Sequence, residues 1–247
     1  MDVAPHPHIG LQTVTWLLDG EVFHRDSIGS EAMVRPRQLN VMTSGRGIAH
    51  SEETPRNHSG SLSGVQLWVA LPESDRNREP SFEHHPELPR IEAPGATVTV
   101  FSGQIDRFRS PATMFSPIVG ADATLHANSR TTLPLTNAFE HAVMLMSGDA
   151  AIEGQRLETD TLVYLGTGRD SLDFSSSSGA RVLLLGGTPF EEKIFMWWNF
   201  VGRNAAEIAV AQRDWDEHRR FGEVSGYAGP RIEAPRFPAP VPANPAS

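Results

Sequence analysis

Two short motifs near the start of the chain carry side chains that bind transition metals. His6 and His8 flank a proline and are followed, 42 residues after His8, by His50 and Glu52, which flank a serine. Residues two apart in an extended strand point to the same face, so each motif directs two potential ligands the same way. If the two strands lie side by side, three imidazoles and one carboxylate converge. This set suits a divalent transition metal such as iron, manganese, nickel, copper, zinc or cobalt, and leaves coordination positions open to water, oxygen or substrate.

The other histidines have no partner at a matching spacing. The chain contains ten histidines, and a lone histidine usually serves as a surface group or a hydrogen-bonded core residue. His24 is a candidate neighbour of the metal ligands, although we favour its interpretation as a turn residue. We interpret the remaining ones as solvated or structural: His58, His84, His85, His126, His141 and His218.

The composition excludes several classes of protein. The formal charge is −9, from 21 basic and 30 acidic residues, without a dense basic stripe that would bind phosphates directly. Cysteine is absent, which excludes disulfides, iron–sulfur clusters and zinc ribbons. Residues 1–10 lack the apolar stretch of a signal peptide, and the apolar runs are too short to span a bilayer. We therefore expect a cytoplasmic protein, a monomer or weak dimer, that contacts neither nucleic acid nor membrane.

Short segments rich in β-branched and aromatic residues alternate with glycine, proline and polar turns. Residues 11–18, 39–43, 64–71 and 96–102 have the composition of strands. Residues 72–94 are rich in proline and charge and are interpreted as a linker or covering loop. Many short strands at this spacing predict an all-β protein built as a barrel or a double-sheet roll.

The second half of the chain repeats the organisation of the first half without its chemistry. Residues 18–21 resemble residues 146–149, and each group ends an apolar strand, which predicts two similar β-domains in tandem. The positions that correspond to the four ligands are occupied by Pro134, Thr136, Asp173 and Ser175. We therefore expect one metal per chain.

Near the C-terminus the spacing of apolar residues changes from that of a strand to that of a helix. Asn204 can cap a helix and Glu207 can close the capping box, while apolar residues at helical spacing follow and Gly222 ends the segment. Beyond Gly229 the chain is rich in proline. These patterns divide the chain into an N-terminal metal-binding barrel (1–95), a C-terminal barrel without metal ligands (96–203), a packing helix (204–222) and a proline-rich tail (223–247).

The ligand motifs and their surroundings resemble the pirin family, and the similarity covers nearly the whole chain. It includes His-Pro-His-Ile-Gly at 6–10, His-Arg-Asp-Ser at 24–27, Met-Thr-Ser-Gly-Arg-Gly-Ile at 42–48 and His-Ser-Glu at 50–52. Later matches are Gln-Leu-Trp-Val at 66–69, Phe-Glu-His-His-Pro at 82–86, Trp-Trp-Asn-Phe-Val at 197–201 and Arg-Phe-Gly at 220–222.

The resemblance implies a fold and a ligand set. Pirins belong to the cupin superfamily, so it implies two tandem cupin barrels and a short C-terminal helix, with a metal, usually Fe(II), only in the N-terminal barrel. Carried over by motif, the ligands are His6, His8, His50 and Glu52. Family members carry further residues before the His-Pro-His motif, so Met1 is not their usual start. The sequence also departs from the family at 36–38, where Pro-Arg-Gln replaces Pro-Gly-Asp.

The resemblance also implies a function. Some bacterial pirins are quercetin 2,3-dioxygenases, which open flavonols with O2 and release carbon monoxide. An oxidoreductase of this kind would bind a flavonol-like small molecule, and Glu52 would serve as a ligand or as the general base that takes the substrate proton. Two alternatives remain: a non-enzymatic regulatory protein that contacts a protein partner in a metal-dependent way, and a metal that only pins two strands together.

Overall fold

Short antiparallel strands build the first part of the protein. The computed structural model describes residues 1–58 and 60–238. The described residues up to position 86 form the strands β1 (Asp2–His8), β2 (Leu11–Asp19), β3 (Val22–Asp26), β4 (Glu31–Val34), β5 (Leu39–Thr43), β6 (Ile48–Glu53), β7 (Ser63–Ala70) and β8 (Ser81–His85). They form two sheets, ordered β1-β6-β3-β4 and β7-β2-β5-β8. The ring of His24 on β3 stacks on that of Phe82 on β8, so the two sheets face each other.

A second group of strands occupies residues 87–191. It comprises β9 (Arg90–Ala93), β10 (Ala96–Ile105), β11 (Phe108–Arg109), β12 (Ile118–Leu125), β13 (Ser129–Pro134), β14 (Glu140–Gly148), β15 (Ala151–Ile152), β16 (Gln155–Arg156), β17 (Leu162–Gly166), β18 (Ser171–Ser176) and β19 (Ala180–Gly187). One sheet has the order β11-β10-β12-β19-β14-β17, with β9 pairing on β10, and the other has the order β13-β18-β15-β16. Both groups are thus antiparallel double sheets, as the strand spacing predicted.

The chain then returns to the first unit. It forms a hairpin of β20 (Phe195–Trp197) and β21 (Phe200–Gly202), followed by the helix α1 (Ala205–Asp216). The amide of Glu207 donates to the side chain of Asn204, as the capping motif predicted. The helix ends at Asp216 and does not reach Gly222, because His218 adopts a left-handed conformation at φ 56° that breaks the helical backbone. No helix among the described residues is long and apolar enough to cross a membrane.

Two compact units result from this path. The first combines residues 1–86 with the segment that begins at Glu192, and the second is residues 87–191. Strand β9 belongs to the second unit because it pairs with β10, and the hairpin of β20 and β21 belongs to the first. The sequence predicted boundaries at 95 and 203, whereas these units meet after residue 86 and after residue 191. Of the predicted tail, residues 239–247 lie outside the described part.

The interpretation of residues 72–94 as a linker or loop was wrong. The segment contains β8 and β9, and β8 pairs with β5 over five residues, from Leu39 opposite His85 to Thr43 opposite Ser81. All five residues of β8 are partly buried, without the alternation that identifies a strand with one face in the core. Pairing with a neighbouring strand, rather than local composition, therefore makes this segment extended.

The departure at residues 36–38 affects one turn. Arg37, between β4 and β5, has a φ of 67°, in the left-handed region. Glycine, which the family pattern places at this position, adopts that conformation without steric cost, whereas a residue with a Cβ is mildly strained there. Arg37 thus adopts a backbone conformation that favours glycine.

The interiors of the two units differ in polarity. The core of the second unit is apolar, with side chains such as Val98, Leu145 and Phe174. The first unit instead buries many polar side chains on its strands: His6, His8, Gln12, Thr13, Thr15, His24, Asp26, Asn40, Thr43, His50, Ser51 and Glu52. Burying polar groups costs free energy unless they find partners, so the first unit is the part of the fold built around a polar site.

Candidate metal centre

Strands β1 and β6 position three histidines. The two strands pair antiparallel, with His6 opposite His50 and His8 opposite Ile48. His6 and His8 share one face of β1 because they are two residues apart. The three residues are 7%, 0% and 0% exposed for His6, His8 and His50. The strand pairing therefore brings together three of the four predicted ligands inside the unit.

The distances within this group fit a shared metal ion. One ring nitrogen of each of His6, His8 and His50 lies within 4.8 Å of the corresponding nitrogens of the other two. The Nε2 atoms of His8 and His50 are 3.1 Å apart. Two nitrogens that each lie about 2.1 Å from one metal, at a right angle, would be separated by about 3.0 Å. Three imidazoles this close together form a group that could hold one ion.

Backbone carbonyls orient two of the rings. The Nδ1 atom of His6 lies 2.9 Å from the carbonyl oxygen of Ala4, and that of His8 lies 3.1 Å from the carbonyl oxygen of Asn199. A carbonyl only accepts hydrogen bonds, so Nδ1 carries the proton in both rings and Nε2 keeps its lone pair. Metal-binding histidines are usually held in this way. Neither carbonyl could be identified from the sequence.

The environment keeps the three imidazoles neutral. Burial lowers the pKa of His6 and lowers the pKa of His8 and His50 well below the ordinary value, with smaller contributions from the neighbouring rings. Protonation would place several positive charges in a space that water does not reach. Neutral imidazole is the form that binds a metal, so the group is ready to do so at neutral pH.

Glu52 lies two residues after His50 on the same face of β6, but outside the group of three converging imidazoles. Its Oε1 accepts a hydrogen bond of 2.7 Å from Nε2 of Gln66, which also donates to Thr15 at 3.1 Å. Burial raises the pKa of Glu52, and the nearby imidazole of His24 and the hydrogen bond from Gln66 oppose that rise. Gln66 therefore holds this carboxylate in place, a role that its sequence context did not predict.

The interpretation of His24 as a turn residue was wrong. It lies within β3, which pairs with β6 and places His24 opposite Glu52. Its Nδ1 is 3.4 Å from Nδ1 of His50, and its Nε2 is 3.2 Å from Oδ2 of Asp26. The spacing of His24 and Asp26, two residues apart in a strand, was the available signal, since it places both on one face.

Aromatic side chains border the site. The indole of Trp68 on β7 makes an edge contact with the ring of His8, at 5.1 Å between centroids. Trp68 is 39% exposed, whereas the histidine that it touches is fully buried. It therefore offers an apolar ring to a molecule that approaches the imidazoles from solvent.

The remaining histidines do not join this group. His84 bonds to Asn40 and His85 bonds to Glu83, while His141 is buried in the second unit. His58, His126 and His218 are exposed. Within residues 1–58 and 60–238, one cluster has three side chains close enough to hold a metal ion, and it consists of His6, His8 and His50.

A β-rich protein of two units, one of which buries converging imidazoles, has the features of a metal-binding double-barrel protein. Comparison with known families gives a match of residues 1–69 to Pirin and of residues 120–222 to the Pirin C-terminal cupin domain. The chain belongs to the pirin family, and its two units have the cupin fold that the resemblance implied.

Similar proteins come from several bacteria. A Pseudomonas aeruginosa protein named as a candidate quercetin 2,3-dioxygenase is 46% identical over 96% of this chain and 75% of its own length. A pirin-like protein of Caulobacter vibrioides is 37% identical over 88% of this chain and 76% of its own length. The crystal structure of a quercetin 2,3-dioxygenase from Acinetobacter baumannii has a TM-score of 0.93 and 43% identity, covering 96% of this chain and 80% of that one.

Removal of bound metal should lower the melting temperature of the protein. A ligand that binds only the native state at a hundredfold excess over its Kd stabilises that state by about 2.7 kcal/mol, which corresponds to about 5 to 10 °C. Scanning calorimetry before and after chelation measures the change, and His6→Ala should abolish it. An unchanged melting temperature after verified metal removal would contradict the coupling of metal binding to this fold.

Proposed function

We propose that this protein is a quercetin 2,3-dioxygenase-type enzyme, a mononuclear metal-dependent oxygenase that opens a flavonol-like substrate with O2. The observation that carries the proposal is the buried group of His6, His8 and His50, with the carboxylate of Glu52 two residues beyond His50 on β6. The similarity to two bacterial proteins named for this activity supports the reaction class.

The donor set defines the cofactor. His6, His8 and His50 would hold one divalent transition metal per chain, and the carboxylate of Glu52 would lie beside them. The family's usual Fe(II) fits these ligands, as do Mn, Ni, Cu, Zn and Co. When bound, such an ion supplies a Lewis acid that lowers the pKa of an attached hydroxyl, together with a site where oxygen chemistry can occur.

The protein's own residues would prepare the substrate. A flavonol must lose the proton of its 3-hydroxyl group before its ring reacts with O2. The carboxylate of Glu52 is suited to accept this proton, because it lies two residues from His50 on the same face of β6 and a carboxylate can act as a general base. Gln66 fixes its position through the 2.7 Å hydrogen bond. The exposed ring of Trp68 would stack against the flat aromatic rings of the substrate.

Ring opening inserts both atoms of O2 into the substrate and expels one ring carbon as carbon monoxide. The metal-loaded protein should therefore consume one O2 and release one CO for each quercetin consumed. An oxygen electrode and a haem-based CO assay measure the two gases, and His126→Ala, a change at an exposed residue of the second unit, serves as the control. Metal-replete protein that neither consumes O2 with flavonols nor changes its spectrum on their addition would exclude this function.

A further inference from the structure

We propose that His24 and Asp26 form a positioning pair that fixes the tautomer of His50 and so directs its Nε2 lone pair to the metal. The inference rests on the proposed role of the three histidines as a metal centre. It assigns a task to two buried side chains that the reaction itself does not use.

A continuous row of polar atoms connects these residues. Nε2 of His50 faces the cluster, 3.1 Å from Nε2 of His8. On the other side of the ring, Nδ1 of His50 lies 3.4 Å from Nδ1 of His24, at the long end of hydrogen-bonding distances. Nε2 of His24 lies 3.2 Å from Oδ2 of Asp26. The order is therefore Asp26, His24, His50 and then the cluster.

Donor and acceptor rules give this row one direction. An ionised carboxylate only accepts, so Nε2 of His24 must carry the proton that bonds to Asp26. A neutral imidazole then has a lone pair on Nδ1, which accepts the proton on Nδ1 of His50. His50 is left with a lone pair on Nε2, the atom that faces the cluster. The charge of Asp26 thus determines which nitrogen of His50 can bind a metal.

The pair is itself held rigidly. The second carboxylate oxygen of Asp26 accepts hydrogen bonds from the amides of Ile28, at 3.1 Å, and Ser30, at 2.8 Å. The ring of His24 stacks on Phe82, with 4.4 Å between centroids and 13° between planes. His24 is 3% exposed and Asp26 is 2% exposed. Neither side chain needs to move to fulfil the role.

His50 depends on this pair in a way that the other two histidines do not. His6 and His8 are oriented by backbone carbonyls, which no substitution of a side chain removes. The ring of His50 instead contacts the side chains of His8 and His24. A change at Asp26 should therefore affect one ligand selectively.

The isosteric change Asp26→Asn tests the proposal. The amide oxygen can still accept from Ile28 and Ser30, while the amide NH2 faces His24 and donates to its Nε2. His24 must then carry its proton on Nδ1, and His50 must move its proton to Nε2, where it blocks metal binding. We expect nitrogen chemical shifts of metal-free, 15N-histidine-labelled protein at pH 8 to show this move, and Zn²⁺ titration to give about 10- to 100-fold weaker binding.

A second variant separates positioning from a general loss of structure. His24→Phe keeps a ring against Phe82 but removes both nitrogens, so His50 loses its partner. Because Asp26 acts through His24, Asp26→Asn should weaken Zn²⁺ binding no further once His24→Phe is present. Additive effects of the two changes, or weaker binding by Asp26→Asn without a change of tautomer in His50, would overturn the proposal. The tautomer is measured without metal or substrate, so failure of the oxygenase function leaves this result interpretable.

Discussion

Replacement of His50 by alanine should weaken metal binding by more than about 100-fold, beyond the loss typical of residues that only support a ligand. The change removes one of three converging imidazoles and leaves His6 and His8 with an incomplete set. Elemental analysis of purified protein should fall from one metal per chain to nearly none, and oxygen consumption with flavonols should disappear with it.

The control for this experiment is His126→Ala, which removes an exposed imidazole of the second unit. It should retain one metal per chain and wild-type activity. Circular dichroism shows whether His50→Ala keeps its β structure, since the side chain is fully buried. A full complement of metal in His50→Ala, or two metals per chain in the wild type, would contradict a single centre on β1 and β6.

Glu52→Gln should lower turnover by about 100-fold or more, the usual contribution of a general base, while most of the metal remains bound. The expectation follows from the position of Glu52 outside the group of three imidazoles. Glutamine keeps the size of the side chain but cannot accept the substrate proton. The deficit should be smallest at high pH, where the flavonol ionises without assistance. Steady-state rates across pH, measured beside metal content, test both parts.

The neighbouring residue provides a matched control. Glu53 follows Glu52 on β6, points to the opposite face and pairs with Arg25. Glu53→Gln makes the same chemical change on the opposite face of the strand. It should leave metal content and turnover near the wild-type values. Loss of metal from Glu52→Gln in proportion to its loss of activity would instead identify Glu52 as a ligand that retains the ion.

The sequence revealed the parts of the site that follow from local geometry. The alternation of a strand placed His6 and His8 on one face, and the same rule linked His50 with Glu52. The rule also applied to His24 and Asp26, but the serine and glycine that follow favoured a turn there. The strand in fact continues to Asp26, because pairing with β6 extends it.

Other features depend on contacts between distant residues. Strand β8 is extended because it pairs with β5, and its own residues lack a strand pattern. The carbonyl of Asn199 that orients His8 is 191 residues away, and any residue type offers the same carbonyl. The residue type at position 199 therefore does not reveal that its backbone carbonyl orients His8.

The first unit is assembled from two separate stretches of chain, and this has a consequence for the order of folding. Residues 87–191 are contiguous and can become compact while synthesis continues, whereas the first unit needs the segment that begins at Glu192. Because His8 is oriented by Asn199, its ring has no fixed tautomer until that segment arrives. The non-local contact slows assembly, since a long loop must close first. A nascent chain would therefore carry all three histidines long before it could hold a metal tightly, and metal insertion would be a late event in its maturation.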